Sequence, residues 1–269
     1  MNFFERLLLF LQGTMNTPKA FGYFHIICII LTIVSIIFLY QKRSEKNLKI
    51  VLLVYGIIAI LLETIKQLIW SFNYDNITGL VTWDYQWYAF PFQLCTTPIY
   101  VSLLCAFMKD NKVRKSLLSY MAYFTILGSI ATIIMPDSCF TSDILVNIHT
   151  MWLHCGSLVV SVYLLLTNKV EINITNLKRS INVFLIFIGL ALCLNIIIYN
   201  TGILNGETFN MFYISPYFES TLPVFNTIYI YVPYLVFLIT YIVALTLGAF
   251  IIYGISKLIN YIIKRKKSI

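Results

Sequence analysis

Seven apolar stretches, separated by loops whose basic charge alternates from one to the next, leave this chain little choice of architecture. The stretches run over about 21–41, 47–71, 89–108, 116–135, 145–167, 181–199 and 229–256. Each is long enough to cross a hydrocarbon core of roughly 30 Å at about 1.5 Å per residue. Over such lengths only helices satisfy the backbone in lipid, so the expected fold is an all-α polytopic bundle of seven transmembrane spans. Charged residues are 11% of the sequence and hydrophobic ones 59%, which excludes a soluble domain.

The distribution of the basic residues sets the expected orientation. Lys42, Arg43, Lys46 and Lys49 follow the first stretch; Lys109, Lys112, Arg114 and Lys115 the third; Lys169, Lys178 and Arg179 the fifth; and Lys257, Lys264, Arg265, Lys266 and Lys267 lie towards the C-terminus. The loops 72–88, 136–144 and 200–228 contain neither Lys nor Arg. Basic loops stay on the cytoplasmic side, so the N-terminus is expected outside and the C-terminus inside. The net charge of +8 is therefore a topology signal with some attraction to anionic lipid heads, not a nucleic-acid footprint.

Residues 1–20 lack a signal-peptide pattern, because Glu5 and Arg6 interrupt the apolar run and no small-residue cleavage site follows. Phe3, Phe4, Leu7, Leu8 and Leu11 recur at helical spacing, which predicts an interfacial amphipathic helix on the outer face, ahead of a transmembrane domain over 21–269. The six cysteines show no CxxC or finger-type spacing.

With that orientation, depth can be counted from residue number. Cys95 stands about six residues into the third stretch and His154 about nine into the fifth, which puts both roughly 10–14 Å below the outer boundary. A nucleophile and a base at one depth in a water-poor pocket point to acyl transfer rather than transport. Glu63, Lys66, Asn195 and His25 fall in the same outer half, and ionisable groups in hydrocarbon normally face the bundle interior. Glu63 and Lys66, three apart, share a helix face; the pair either fixes packing or orients a lipid head group or His154. A membrane cysteine is often plain packing and a buried histidine often a helix-to-helix bridge, but Pro91 and Gln93 beside Cys95 add to the functional case.

His149 reads as lying near the lipid boundary, and Cys155 as pointing away from the face of His154. His25, His149, His154 and Cys139 lack the spacing of a metal site, and a proton or ion path lacks polar lining in the inner half. Trp83, Tyr85, Trp87 and Tyr88 suit an interfacial belt. The stretch 200–228, with Asn210, Tyr213, Pro216, Tyr217 and Pro223, is too long for a turn and is expected to form a lid. Beneath it, a pocket walled by Glu63, Lys66, Gln93 and Asn195 is expected to open outwards.

FPFQLC at the start of the third stretch, GSIATIIMPD closing the fourth, WLH in the fifth and NMFYISP before the last together resemble the YwaF-like integral membrane family. Eukaryotic relatives of that family include a transmembrane acyltransferase that makes polyunsaturated ether phospholipids. The resemblance covers roughly residues 45–250. It implies a catalytic cysteine and histidine at Cys95 and His154 and a fatty acyl thioester as intermediate. The sequence departs from the PLHLC pattern of the family by carrying Gln93 where histidine is common, and Gln93 can donate to a carbonyl oxygen but cannot act as a base.

The expected function is a membrane acyltransferase that moves a fatty acyl group between lipids. His154 takes the proton of Cys95, Gln93 or Asn195 stabilises the oxyanion, and Glu63, Lys66 and Asn210 contact the substrate. The partners are phospholipid or lysophospholipid within the cell membrane, with the active site towards the outer leaflet; no metal, nucleotide or other cofactor is called for. Alternatives are a non-catalytic lipid-binding or small-solute transport protein, or the same chemistry with a lipoprotein amine as acceptor.

Overall fold

The computed structural model describes residues 1–136 and 139–267, so Asp137 of the MPD motif and the last two residues lie outside the described part. Among the described residues six helices are long and apolar enough to cross a membrane. They are α2 (Tyr23–Tyr40), α3 (Glu45–Ser71), the continuous helix Lys112–Ile134, α7 (Ile144–Leu166), α8 (Ile174–Asn200) and the apolar part of α10 (Tyr234–Lys267), which the short α9 (Phe225–Tyr231) precedes.

The seventh expected span is shorter than its hydropathy suggests. Residues 84–96 run irregularly through a single turn at Trp87–Ala89, and only α4 (Thr97–Phe107) is helical, about 16 Å long at 1.5 Å per residue. Pro91 offers no N–H, and side chains satisfy the irregular backbone instead. Tyr100 Oη donates to Pro91 O (2.7 Å), the Thr96 hydroxyl accepts from Gln93 N (2.8 Å), and Thr97 Oγ1 donates to Leu94 O (2.9 Å). Non-helical backbone is tolerated at membrane depth only where protein surrounds it in this way.

Side-chain bonds between loops sort the connections into two ends. At one, Glu45 pairs with Arg114 (3.4 Å) and Lys169, Arg114 Nε donates to Cys105 O (2.9 Å), and Tyr163 Oη donates to Lys42 O (2.7 Å). This end gathers the Lys/Arg-bearing loops. At the other, Gln12 Nε2 donates to Ile69 O (2.6 Å) and Phe72 O (2.7 Å), Thr14 bridges Asp143, and Trp87 N donates to Glu207 (2.8 Å). The loops free of basic residues meet here.

The predicted N-terminal helix is α1 (Phe3–Leu11), closed by a capping box between Asn2 and Glu5. Its Leu8 is buried against Ile69, Phe72 and Val146, while Phe3 and Phe10 stay exposed. The belt region 72–88 forms a hairpin, β1 (Phe72–Tyr74) antiparallel to β2 (Val81–Trp83), with Gly79 at φ 70° in its turn.

The helix Lys112–Ile134 consists of α5 (Lys112–Tyr120), a π-helical turn Met121–Thr125 and α6 (Ile126–Ile134). At the π turn the Met121 carbonyl accepts from the hydroxyls of both Thr125 and Ser161, each at 2.7 Å. The same turn stacks Tyr120, Phe124 and Phe184 into the core beneath α8. Close approach elsewhere relies on missing side chains: a Cβ on Gly56 of α3 would stand 2.6 Å from Ser102 Oγ of α4, and one on Gly156 of α7 would stand 2.9 Å from the Tyr55 ring. Small residues let membrane helices meet at backbone distance.

Candidate functional site

Glu63 is the hub of the polar groups. Its side chain is 2% exposed, and both oxygens are occupied: Oε1 accepts from Lys66 Nζ (2.7 Å) and Gln67 Nε2 (2.8 Å), while Oε2 stands 2.7 Å from His149 Nε2. Gln67 also donates to Ala89 O (2.6 Å), and Lys66 Nζ lies 5.4 Å from the centre of the Trp70 ring. The cluster thus ties α3 to α7 and to the irregular backbone before α4. The histidine it holds is His149, not His154. His149 stands five residues into α7, which begins at Ile144, and is 4% exposed. Tyr85 reaches the cluster from the hairpin side; burial and the Glu63 charge raise its phenol above the ordinary range.

Cys95 lies in the turn just ahead of α4. It keeps accessible surface although Thr96 to Ile99, which follow it, are buried. Lys66 and Glu63 are within electrostatic reach of its sulfur, as are Tyr55, Tyr120, Tyr213 and Tyr241. Among the described residues no hydrogen bond joins Cys95 to His154. The imidazole of His154 approaches the backbone carbonyl of Gly128, just past the π turn. The link between the two regions is Tyr55: its hydroxyl shares a hydrogen bond with Ser157 (2.7 Å), one turn along α7 from His154, and its ring packs on Gly156.

Gln93, Asn195 and Asn210 come together, but around a loop instead of an open pocket. Gln93 Nε2 donates to Asn210 O (2.9 Å) and Gln93 Oε1 accepts from Phe212 N (2.7 Å). Asn195 repeats the pattern on Met211, donating to its carbonyl (3.0 Å) and accepting from its N–H (2.7 Å). Asn210 in turn accepts from Ser215 N (2.8 Å) and donates to Glu219 O (2.9 Å). Two side-chain amides therefore do for this stretch what a neighbouring strand does in a sheet. Phe209, Met211, Phe212 and Ile214 are fully buried, and Phe212 and Tyr213 both hold φ 58°. The expected lid is a plug: its apolar residues are packed into the main core of the bundle.

Two clefts lie elsewhere. One of about 390 Å³ runs between α2, α6, α7 and α10 towards the basic end, and one of about 310 Å³ lies among Tyr199, Leu204, Glu207 and Phe218. Neither is lined by Cys95, His154, Glu63 or Lys66. No cluster of His, Cys, Asp and Glu among the described residues is arranged to hold a metal ion.

Sequence reasoning missed His149, the double clamp on 210–212 and the π turn. A signal existed for the clamp: a loop carrying Phe209, Met211, Phe212 and Ile214 is too apolar to lie in water, and buried backbone requires partners such as the amides at 93 and 195.

Residues 17–253 match the TMEM164 family, and the chain belongs to that family of membrane proteins. No curated protein and no solved structure matches it.

Proposed function

We propose that this chain is a membrane acyltransferase that passes a fatty acyl group between phospholipids through a thioester on Cys95. The observation that carries the proposal is the setting of Cys95: a half-buried residue in the turn ahead of α4, beside buried neighbours, with the Lys66–Glu63 pair within electrostatic reach of its sulfur. A thiolate there would meet the Lys66 cation and the N-terminal end of α4, both of which favour negative charge. The motif resemblance to the YwaF-like family and its acyltransferase relative supports the same chemistry.

In this scheme His154 takes the Cys95 proton and the sulfur attacks the ester carbonyl of a phospholipid. The C–O bond breaks, the departing oxygen takes the proton from the imidazolium, and lysophospholipid leaves. An acceptor hydroxyl then gives its proton to His154 and attacks the thioester, which releases Cys95. Gln93 spends one amide hydrogen on Asn210 and has a second for the carbonyl oxygen. Glu63 and His149 act as positioning residues that hold Lys66 in place. The short α4 and the irregular residues before it complete a seventh crossing, and the end whose connecting loops lack Lys and Arg faces outwards.

The test is acyl exchange between labelled phospholipid and lysophospholipid in proteoliposomes, read by lipid mass spectrometry. Cys95→Ala should abolish exchange and His154→Ala should remove most of it, with folding checked by size-exclusion profile. A folded Cys95→Ala protein as fast as wild type overturns the scheme. A non-catalytic lipid-binding role is the second reading, favoured by the position of the 390 Å³ cleft away from Cys95; it predicts lipid retention without exchange.

A further inference from the structure

The cleft of about 390 Å³ is large enough for a ligand, since small-molecule sites start near roughly 300 Å³. Its walls are mostly branched aliphatic side chains, among them Ile126 and Ile130 of α6, Val162 of α7 and Ile252 and Ile255 of α10. Of the polar lining residues, Arg43 and Asn168 come from loops at the basic end, Tyr40 from the end of α2, and Ser256 and Asn260 from α10. An apolar trough with a cationic mouth matches a lipid tail and its head group in both shape and polarity.

The charges around the mouth narrow the choice of lipid. Acidic groups at this end are already engaged: Glu45 by Arg114 and Lys169, Asp110 by Lys115, and Glu171 by the side-chain amide of Asn173. Arg43, by contrast, has no carboxylate within ion-pair distance among the described residues. Its guanidinium is held 4.9 Å from the centre of the Tyr40 ring and spends only Nε, on Tyr40 O (3.4 Å). The two terminal nitrogens remain for an anion, and a guanidinium fork suits a phosphate diester.

We infer that the cleft between α2, α6, α7 and α10 holds one anionic phospholipid, with its phosphate at Arg43 and an acyl chain along Ile126, Ile130 and Ile255. A zwitterionic lipid would bring a second cation to an end that already carries Lys42, Lys46 and Lys49, so a head group of net negative charge is the better fit. The site is separate from Cys95 and holds whether or not the chain transfers acyl groups.

The experiment is native mass spectrometry of the detergent-purified protein after incubation with equal phosphatidylglycerol and phosphatidylcholine. Wild type should retain one phosphatidylglycerol in preference to phosphatidylcholine, and Arg43→Ala should lower that retention about tenfold, the loss of one charge-assisted contact. Lys46→Ala removes a cation from the same end without touching the cleft and should leave retention unchanged. Ile130→Trp, a lipid-side substitution that fills the trough, should abolish retention with the protein still monodisperse. Equal retention of both lipids, an equal loss in Arg43→Ala and Lys46→Ala, or unchanged retention in Arg43→Ala overturns the inference. So does a dimer that Ile130→Trp disrupts, which would assign the cleft to a second copy of the chain.

Discussion

Replacing Gln93 by leucine should loosen the plug formed by residues 209–214 without unfolding the bundle. The substitution removes two hydrogen bonds and leaves the Phe212 N–H, on a segment whose apolar residues are fully buried, without a partner, while the Asn210 carbonyl still accepts from Tyr213 N (3.1 Å). An orphaned backbone group costs about 1–3 kcal/mol. The segment has little reserve, because Phe212 and Tyr213 both hold a left-handed backbone at φ 58°, a strain of order 1–3 kcal/mol per residue that the clamps must overcome. The Asn195 clamp on Met211 persists and keeps the segment seated most of the time. A fall of about 1–3 kcal/mol in the local opening free energy corresponds to roughly 5- to 140-fold faster amide exchange, at about 1.4 kcal/mol per factor of ten. Hydrogen–deuterium exchange on peptides covering 209–215, in nanodiscs, reads this directly. Exchange within twofold of wild type would show that the Gln93 amide does not hold the plug.

Other variants probe the packing and the charge cluster. Gly56→Ala places a methyl group where Ser102 Oγ stands 2.6 Å away and Leu103 Cγ 2.7 Å away, and should cost about 1–3 kcal/mol of stability; an unchanged unfolding midpoint in mixed detergent would refute the close α3–α4 contact. Glu63→Gln leaves the Lys66 ammonium buried without its counter-charge and should destabilise the bundle by about 3–5 kcal/mol, while Glu63→Gln with Lys66→Met should recover most of the loss; equal stability of the single and double variants would contradict this. Tyr123→Phe removes a buried hydroxyl that has no partner among the described residues, so stability should stay within about 1 kcal/mol of wild type or rise; a larger loss in the same unfolding assay would reveal a bond at that hydroxyl.

How much of this was legible in the sequence depends on which physical rule wrote each feature. The alternation of Lys/Arg-bearing and Lys/Arg-free loops is governed by one rule acting on every loop, and the two ends of the bundle sort as that pattern requires: Glu45, Arg114 and Lys169 meet at one, Trp87 and Glu207 at the other. Hydropathy failed where an apolar run is not helical. Phe90 to Leu94 reads as membrane span, yet Pro91 and the side-chain bonds around it keep those residues irregular, and α4 starts only at Thr97. The π turn has no compositional mark, since its one-residue shift is fixed by the Ser161 and Thr125 hydroxyls in three dimensions. At the candidate site, counting depth set Glu63, Lys66 and Cys95 at one level, but depth carries no azimuth. It therefore could not show that His149 faces Glu63 while His154 turns to Gly128, nor that Gln93 and Asn195 face the same stretch of backbone.

The central claim concerns the sulfur of Cys95, and a covalent acyl group on it can be weighed. Purified protein incubated with a phospholipid of single defined acyl composition, quenched in acid and analysed as an intact chain, should gain the mass of one acyl group less a hydrogen. The adduct should disappear on treatment with neutral hydroxylamine, which cleaves thioesters, and should be absent from Cys95→Ala. An adduct of equal yield in Cys95→Ala, or exchange activity in wild type with no adduct on the Cys95 peptide at any time point, would contradict the thioester account.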